Sequence, residues 1–391
     1  MNAIGDLQGQ LTLDEEAKLR EVVAAIGAKF GNKYFARVSA SGEKATELWE
    51  ALAAGGFLGV NIPEEYGGGG MGLTALSIVA EELAAAGCPL IMLIISPAIV
   101  GSVLSRHGTP QQKQRWLRLI GTGAGRVACA VTEPDAGSNS HRIATSARRD
   151  GDEWVISGSK VYISALDEAE GLLVVARTGT DERTGRGRLS LFLVDADAEG
   201  LMRQDMPMDL QMPDSQFAVF LDEVRVGSDR LVGVEGQGLR AVFDGLNPER
   251  VIIASISAGI GRYAMAKAQR YACERSVWGT PIGSHQGLSH PLAEAHMQLE
   301  AARLMIRRAA AQYDAGLDAG GASNMAKFLA AEAGIRCLDQ SIETHGGSGF
   351  SSDVGLASMM TLARLFKTVP ITREMILNFV AEHELGLPKS Y

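Results

Sequence analysis

The sequence predicts an α+β protein built from three successive segments: a helical N-terminal part, a β-rich middle and a helical C-terminal part. Three observations carry this reading. Apolar residues recur at helical spacing from residue 12 to about 127. From Val127 to about Gly236 the pattern changes to short β-branched runs separated by turn residues. From Leu239 the helical period returns and lasts through Val380. No βαβ alternation is present, which argues against a doubly wound nucleotide fold. The expected segments are 1–127, 128–236 and 237–391.

In the first segment, Leu19-Val22-Val23-Ile26 and Leu48-Leu52 mark helices, and the glycine loop Pro63–Gly70 punctuates them. The apolar run Pro89–Leu104 contains Ser96, Pro97 and Gly101 and is too short to span a bilayer, so it reads as a buried helix after a turn. The strands follow at Trp154-Val155-Ile156, Leu172–Ala176, Leu189–Val194 and Phe217–Phe220, as expected of an antiparallel sheet or small barrel. Gly121–Gly125 reads GxGxG but lacks the dinucleotide spacing and follows no convincing strand.

The chain has 391 residues, 46% of them hydrophobic, enough to bury two or three domains. Its net charge of −9, with no basic stretch, argues against nucleic acid as a partner. The four cysteines form no CxxC pair and the seven histidines no HExxH, so no metal site is expected and a reducing cytoplasm is. Met1–Gln10 is polar and lacks a charged-then-apolar signal pattern.

The most informative stretch is Cys129-Ala130-Val131-Thr132-Glu133-Pro134-Asp135-Ala136-Gly137-Ser138-Asn139, followed by Ser157-Gly158-Ser159-Lys160-Val161-Tyr162-Ile163-Ser164. It reads as a strand, a small-residue loop rich in backbone N–H donors, and a second strand edge carrying an aromatic. Such a surface suits a flat, polar-edged heterocycle with a phosphate attached. The pair resembles the flavin-binding segments of acyl-CoA dehydrogenases. Three further stretches match that family in the same order: Ile62–Gly68 with Glu81-Glu82-Leu83, then Arg275–Gly279 with His285-Gln286, then His345–Phe350.

The resemblance implies an N-terminal all-α domain, a middle antiparallel β-barrel and a C-terminal four-helix bundle. It implies FAD as cofactor, with Ala130, Val131, Thr132, Gly137 and Ser138 lining the flavin and its phosphates and Tyr162, Ile163 and Ser164 on the ring. Arg275, Trp278, Gln286, Glu343, Gly346 and Gly347 would reach the FAD of a neighbouring subunit, in a homotetramer, a homodimer or a heteromer with a related subunit. Ser138, Asn247 and Arg250 would meet an acyl-CoA substrate, and electrons would pass to an electron-transferring flavoprotein.

The family's usual Glu-Gly-Thr base is missing, because Pro370-Ile371-Thr372 falls in its place. Some members, similar to isovaleryl-CoA and long-chain dehydrogenases, hold the glutamate at the start of the first C-terminal helix. Here that helix is expected to begin Asn247-Pro248-Glu249-Arg250, with Asn247 as N-cap and Pro248 at the first helical position. Glu249 is therefore the expected catalytic base, with its pKa lowered by the helix dipole. An acid in a first helical turn equally serves the dipole alone. Two other functions share this fold: a flavin-dependent monooxygenase or N-hydroxylase, which also fits loss of the usual base, and one subunit of a heteromeric dehydrogenase.

Overall fold

The protein is described by a computed structural model covering residues 11–389; Met1–Gln10 lies outside the described residues. Helix α1 (Leu13–Ser41) starts on a capping box. Thr12 Oγ1 accepts the Glu15 N–H at 3.3 Å, and the Glu15 carboxylate accepts the Thr12 N–H at 2.7 Å. Leu19 and Val23 turn inward from it, and α2 (Thr46–Ala54) buries Leu48 and Leu52. After a 3₁₀ turn at Glu64–Tyr66 comes α3 (Gly72–Ala85), buried on most of its surface.

The Pro89–Leu104 run is buried, but its core is a π-helix at Ile94–Gly101 that passes into α4 (Ser102–His107). Pro97 lies inside it and has no N–H to give the preceding turn; its carbonyl accepts Asn61 Nδ2 at 2.9 Å. The short helices α5 (Pro110–Gln112) and α6 (Arg118–Gly121) complete the segment.

The middle segment carries strands β1 (Val127–Ala130), β2 (Ser146–Asp150), β3 (Glu153–Ser164), β4 (Gly171–Thr180), β5 (Gly187–Asp195), β6 (Leu201–Asp205), β7 (Gln216–Gly227) and β8 (Leu231–Val232). They form one sheet in the order β6-β7-β3-β2-β4-β5-β8, with β1 also on β4. The expected closed antiparallel barrel is thus an open, mixed sheet. β1 runs parallel to β4, paired from Val127↔Gly171 to Ala130↔Val174, and β2 meets β4 in parallel at Ser146↔Arg177. Since β5 takes one edge of β4 along its length, β1 and β2 share the other edge. The outer strands do not close the sheet: β8 has two residues and β6 is largely exposed. Between β1 and β3 the sheet parts, with no ladder pairing of the two strands.

Helix α7 (Gly238–Glu274) spans 37 residues and organises the C-terminal segment. The hairpin β9 (Ser276–Val277) and β10 (Thr280–Pro281) follows, then α8 (Gln286–Asp314) and α9 (Gly320–His345). Short helices α10 (Met360–Leu365) and α11 (Arg373–Phe379) pack on α9, so three long helices and two short ones make up the bundle. Among the described residues no helix is long and apolar enough to cross a membrane.

Every residue from Val251 to Gly261 of α7 is buried. Two glycines make that enclosure possible. A Cβ on Gly259 would lie 2.4 Å from the Glu81 carbonyl of α3, and one on Gly334 of α9 would lie 2.4 Å from the Ser257 carbonyl. Both obstacles are backbone, which moves only with its helix. Gly259→Ala and Gly334→Ala are therefore expected to lower stability by about 1–3 kcal/mol each, the cost of overpacking. Gly287→Ala, in the exposed first turn of α8 with nothing within 4 Å, should instead be neutral or stabilise by about 0.4–1 kcal/mol. Thermal unfolding of the three variants checks the contrast.

Candidate active site

The gap between β1 and β3 is spanned by three hydrogen bonds. The Val161 N–H donates to the Thr132 carbonyl at 3.0 Å, and the Lys160 ammonium donates to the Val131 carbonyl and to Glu133 Oε1, both at 2.9 Å. Lys160 is fully buried. Burial pushes the Lys160 pKa down against the pull of Glu133. For Glu133, burial works upward, but hydrogen bonds from Thr145 and Ala144 and the Lys160 charge hold its carboxyl below the usual range. Glu133 Oε2 and Oε1 accept the Ala144 and Thr145 N–H groups at 2.7 and 3.0 Å, so one carboxylate gathers the loop, β2 and β3.

On that frame the loop turns tightly through the reciprocal Glu133–Ala136 bridge and leaves Gly137 and Ser138 exposed. No described acceptor takes their N–H groups. A Cβ on Gly137 would meet nothing within 4 Å, so the loop lies open to a ligand. β3 slips register between Lys160 and Ile163, where Tyr162 has φ 59° and an exposed ring. Ile163 is buried, and Ser164 exchanges hydrogen bonds with the Gln216 amide at 2.8 and 3.0 Å. Free N–H donors beside an exposed aromatic and an oriented hydroxyl fit an aromatic ring system carrying a phosphate.

Glu249 approaches this surface from α7. It does not sit in a first helical turn: α7 begins at Gly238, so Asn247 is no N-cap and the expected lowering of Glu249 by the helix dipole is corrected. Part of Glu249 is reachable by solvent, yet its Oε2 is sealed and has no hydrogen-bond partner among the described residues. Burial pushes the carboxyl up to about 7, against the pull of Arg250 and Lys327. Burial pushes the Cys129 thiol of β1 up, and Glu249 and Lys160 are both within electrostatic reach of it. Arg250 is not a surface cation: it is buried and donates to Asn247 Oδ1 at 2.7 Å.

Lys327 of α9, 1% exposed, donates to the Ile371 carbonyl at 2.8 Å. It therefore holds the Pro370–Thr372 turn, which carries no acid, on the Glu249 side of the bundle. Lys327 and the Lys160–Glu133 pair went unread in the sequence, although both had a signal. Lys160 shares strand parity with the inward Trp154 and Ile156, and Lys327 stands in a run of alanines and apolar residues.

The remaining expected residues gather elsewhere. Tyr271 of α7 stacks on His345 of α9 with ring centroids 4.4 Å apart, and Trp278 meets His285 edge-on at 6.1 Å. Arg275, Gln286, Glu343, Gly346 and Gly347 are exposed on the same end of the bundle, and Trp278 is 90% exposed. Glu249 and Glu274 lie 25 positions apart on one helix, roughly 37 Å at 1.5 Å per residue. Within one chain, Glu249 and this second set are thus separated by about two thirds of the length of α7.

Three family models match the chain: the acyl-CoA dehydrogenase N-terminal domain over residues 13–124, the middle domain over 128–224 and the C-terminal domain over 236–385. The chain belongs to the acyl-CoA dehydrogenase family. Its activity is accordingly flavin-dependent dehydrogenation of an acyl-CoA. Acyl-CoA dehydrogenase FadE12 of Mycobacterium tuberculosis is 50% identical over 380 residues, 97% of this chain and 98% of that protein. The mitochondrial short-chain specific acyl-CoA dehydrogenase of Bos taurus is 33% identical over 342 residues, 86% of this chain and 81% of its own length. Among solved structures, the glutaryl-coenzyme A dehydrogenase–glutaryl-CoA complex superposes with a TM-score of 0.91 at 28% identity, covering 97% of each chain.

The raised pKa of Glu249 has a consequence for stability. Its folded value of about 7 exceeds the ordinary 4.5, so between those pH values the folded protein holds a proton that the unfolded chain has released. Stability from this group is present below pH 4.5 and is lost as pH rises through about 7. Glu249→Gln should therefore raise the unfolding temperature more at pH 8 than at pH 5. An equal gain at both values would show that the carboxyl is not burdened by its surroundings.

Proposed function

We propose that this acyl-CoA dehydrogenase oxidises the Cα–Cβ bond of a saturated acyl-CoA thioester to the trans-2-enoyl-CoA, with Glu249 as the base. FAD is the cofactor. The observation that carries the assignment is the Glu249 carboxylate, its Oε2 sealed and partnerless and the group within electrostatic reach of Cys129 on β1, while the Pro370–Thr372 turn offers no acid.

The α-proton of a thioester is weakly acidic, so its removal needs a carboxylate at Cα and donors on the carbonyl oxygen. A group with a pKa near 7 is ionised in a useful fraction of molecules at neutral pH and is basic enough to take a carbon-bound proton. Lys327 and Arg250 oppose the effect of burial and keep the charged form accessible. An apolar acyl chain entering the site would expel water and raise the basicity of Glu249 further. Arg250, tied to Asn247, and Ser138 on the open loop are the polar groups for the CoA portion. Thr132, Gly137 and Ser138 offer donors to the flavin and its phosphates, with Tyr162, Ile163 and Ser164 along the ring. Hydride acceptance from Cβ is the chemistry FAD supplies when bound.

Arg275, Trp278, Gln286, Glu343, Gly346 and Gly347 serve the FAD site of a second subunit in this reading. Their exposure at the far end of α7 supports it, and in this reading the functional unit is an oligomer. Electrons leave to an electron-transferring flavoprotein. The buried carboxylate favours this reaction over an oxygen-using monooxygenase, which needs no base at Cα.

Anaerobic mixing of the FAD-loaded protein with butyryl-, isovaleryl-, octanoyl- and palmitoyl-CoA tests the reading. At least one should bleach the flavin of the unmodified protein. Glu249→Gln should retain FAD and bind the same thioester but slow bleaching by at least about 10³-fold, the scale of losing a general base. Bleaching at the unmodified rate would remove Glu249 from the role.

A further inference from the structure

A proline one residue before a catalytic carboxylate, inside a continuous helix, has to be reconciled with the precision a base requires. Pro248 carries no N–H, so the carbonyl four residues earlier, that of Asp244, loses its helical partner. That carbonyl is not left bare. The Tyr313 hydroxyl of α8 donates to the Asp244 carbonyl oxygen at 3.0 Å, occupying the place of the missing amide hydrogen.

The same peptide is held from its side chain. Asp244 Oδ1 accepts Arg106 Nη1 at 2.7 Å, and Oδ2 lies 2.6 Å from His107 Nε2. The Arg106 guanidinium in turn stands over the Tyr313 ring, 4.4 Å from its centroid. Burial raises the Tyr313 pKa, so the phenol keeps its proton and remains a donor. Residue 244 is thereby fixed by α4 on one side and α8 on the other. Glu249 follows five residues later, in the helical turn that continues from this tethered peptide.

We infer that Tyr313 is a positioning residue for the reaction: its hydroxyl replaces the hydrogen bond that Pro248 cannot make, and so fixes the α7 turn that carries Glu249 toward the substrate carbon. The inference rests on Glu249 being the base. Tyr313 touches neither flavin nor thioester in this account; it acts through the Asp244 peptide. The chemistry makes a specific demand. An alanine at position 248 restores an amide hydrogen to the Asp244 carbonyl and makes the Tyr313 hydroxyl dispensable.

The test is a double-mutant cycle on the FAD-loaded protein: unmodified, Tyr313→Phe, Pro248→Ala and the double variant. Three quantities are read: the unfolding temperature, the rate of anaerobic flavin reduction by, and the affinity for, whichever of butyryl-, isovaleryl-, octanoyl- and palmitoyl-CoA reduces the unmodified protein fastest. Tyr313→Phe should slow reduction about tenfold with thioester affinity changed by less than about twofold, the signature of a misdirected base rather than a lost binding contact. In the Pro248→Ala background the same substitution should cost neither rate nor unfolding temperature. Equal costs of Tyr313→Phe in both backgrounds would overturn the inference, because a packing role for the ring is indifferent to residue 248. Rescue of stability without rescue of rate would also overturn it, leaving Tyr313 a repair of the helix and nothing more. Should no thioester reduce even the unmodified protein, the reading of the reaction fails, and the unfolding cycle still decides whether the hydroxyl replaces the amide.

Discussion

Helix α7 is enclosed by other backbone over its whole middle, from Val251 to Gly261. Its neighbours approach to where two glycines are the only side chains that fit, against α3 at Gly259 and α9 at Gly334. Polar groups inside that contact must be satisfied by the helix itself, and they are: the Ser255 and Ser257 hydroxyls donate back to the carbonyls of Val251 and Ile253 at 2.9 and 2.8 Å. A helix packed this closely cannot rotate or slide without disturbing α3 and α9 together. Glu249 sits immediately before the enclosed stretch, so the enclosure fixes where the carboxylate stands relative to β1.

Several other buried charges are paired, although Asp214 is not: its Oδ2 is buried without a partner and burial pushes its carboxyl up to about 7. Glu81 and Glu82 of α3 receive Arg20 of α1, Arg262 of α7 and Arg303 of α8, a cluster that joins four helices. Glu133 receives Lys160 and two backbone amides. Glu249 departs from this pattern, with one oxygen sealed and unbonded and two cations near but neither hydrogen-bonded to it. A paired carboxylate is stable and unreactive, and an unpaired one is costly and basic. In the proposed reaction that cost falls where a base is needed.

Much of the chain was legible from residue patterns because those patterns report local periodicity. The helices at Leu19–Ile26 and Leu48–Leu52 and the strands at Trp154, Leu172, Leu189 and Phe217 lie where the periods put them. The sheet's closure was not legible. Whether β1 pairs with β4 in parallel or β6 meets β8 depends on contacts between distant segments, which no local period encodes. Asn247-Pro248-Glu249 misled for a related reason: asparagine, proline and an acid are start signals, yet the enclosure of α7 and the Tyr313 hydroxyl carry the helix through them. The proposal of Glu249 as the base stands independently of where the helix begins, since it rests on position in the chain. Trp278 was legible as an aromatic but not as an exposed one, because exposure is a property of the finished surface.

Removal of the α-proton by Glu249 can be watched apart from any redox event. The FAD-loaded protein is incubated in D₂O with a 3-thia acyl-CoA, whose sulfur at the β position prevents hydride transfer, and deuterium entering Cα is followed by mass spectrometry. Exchange by the unmodified protein, lost in Glu249→Gln while the analogue still binds, is the expected result. Undiminished exchange in the variant would contradict the account, because some other group would then be taking the proton.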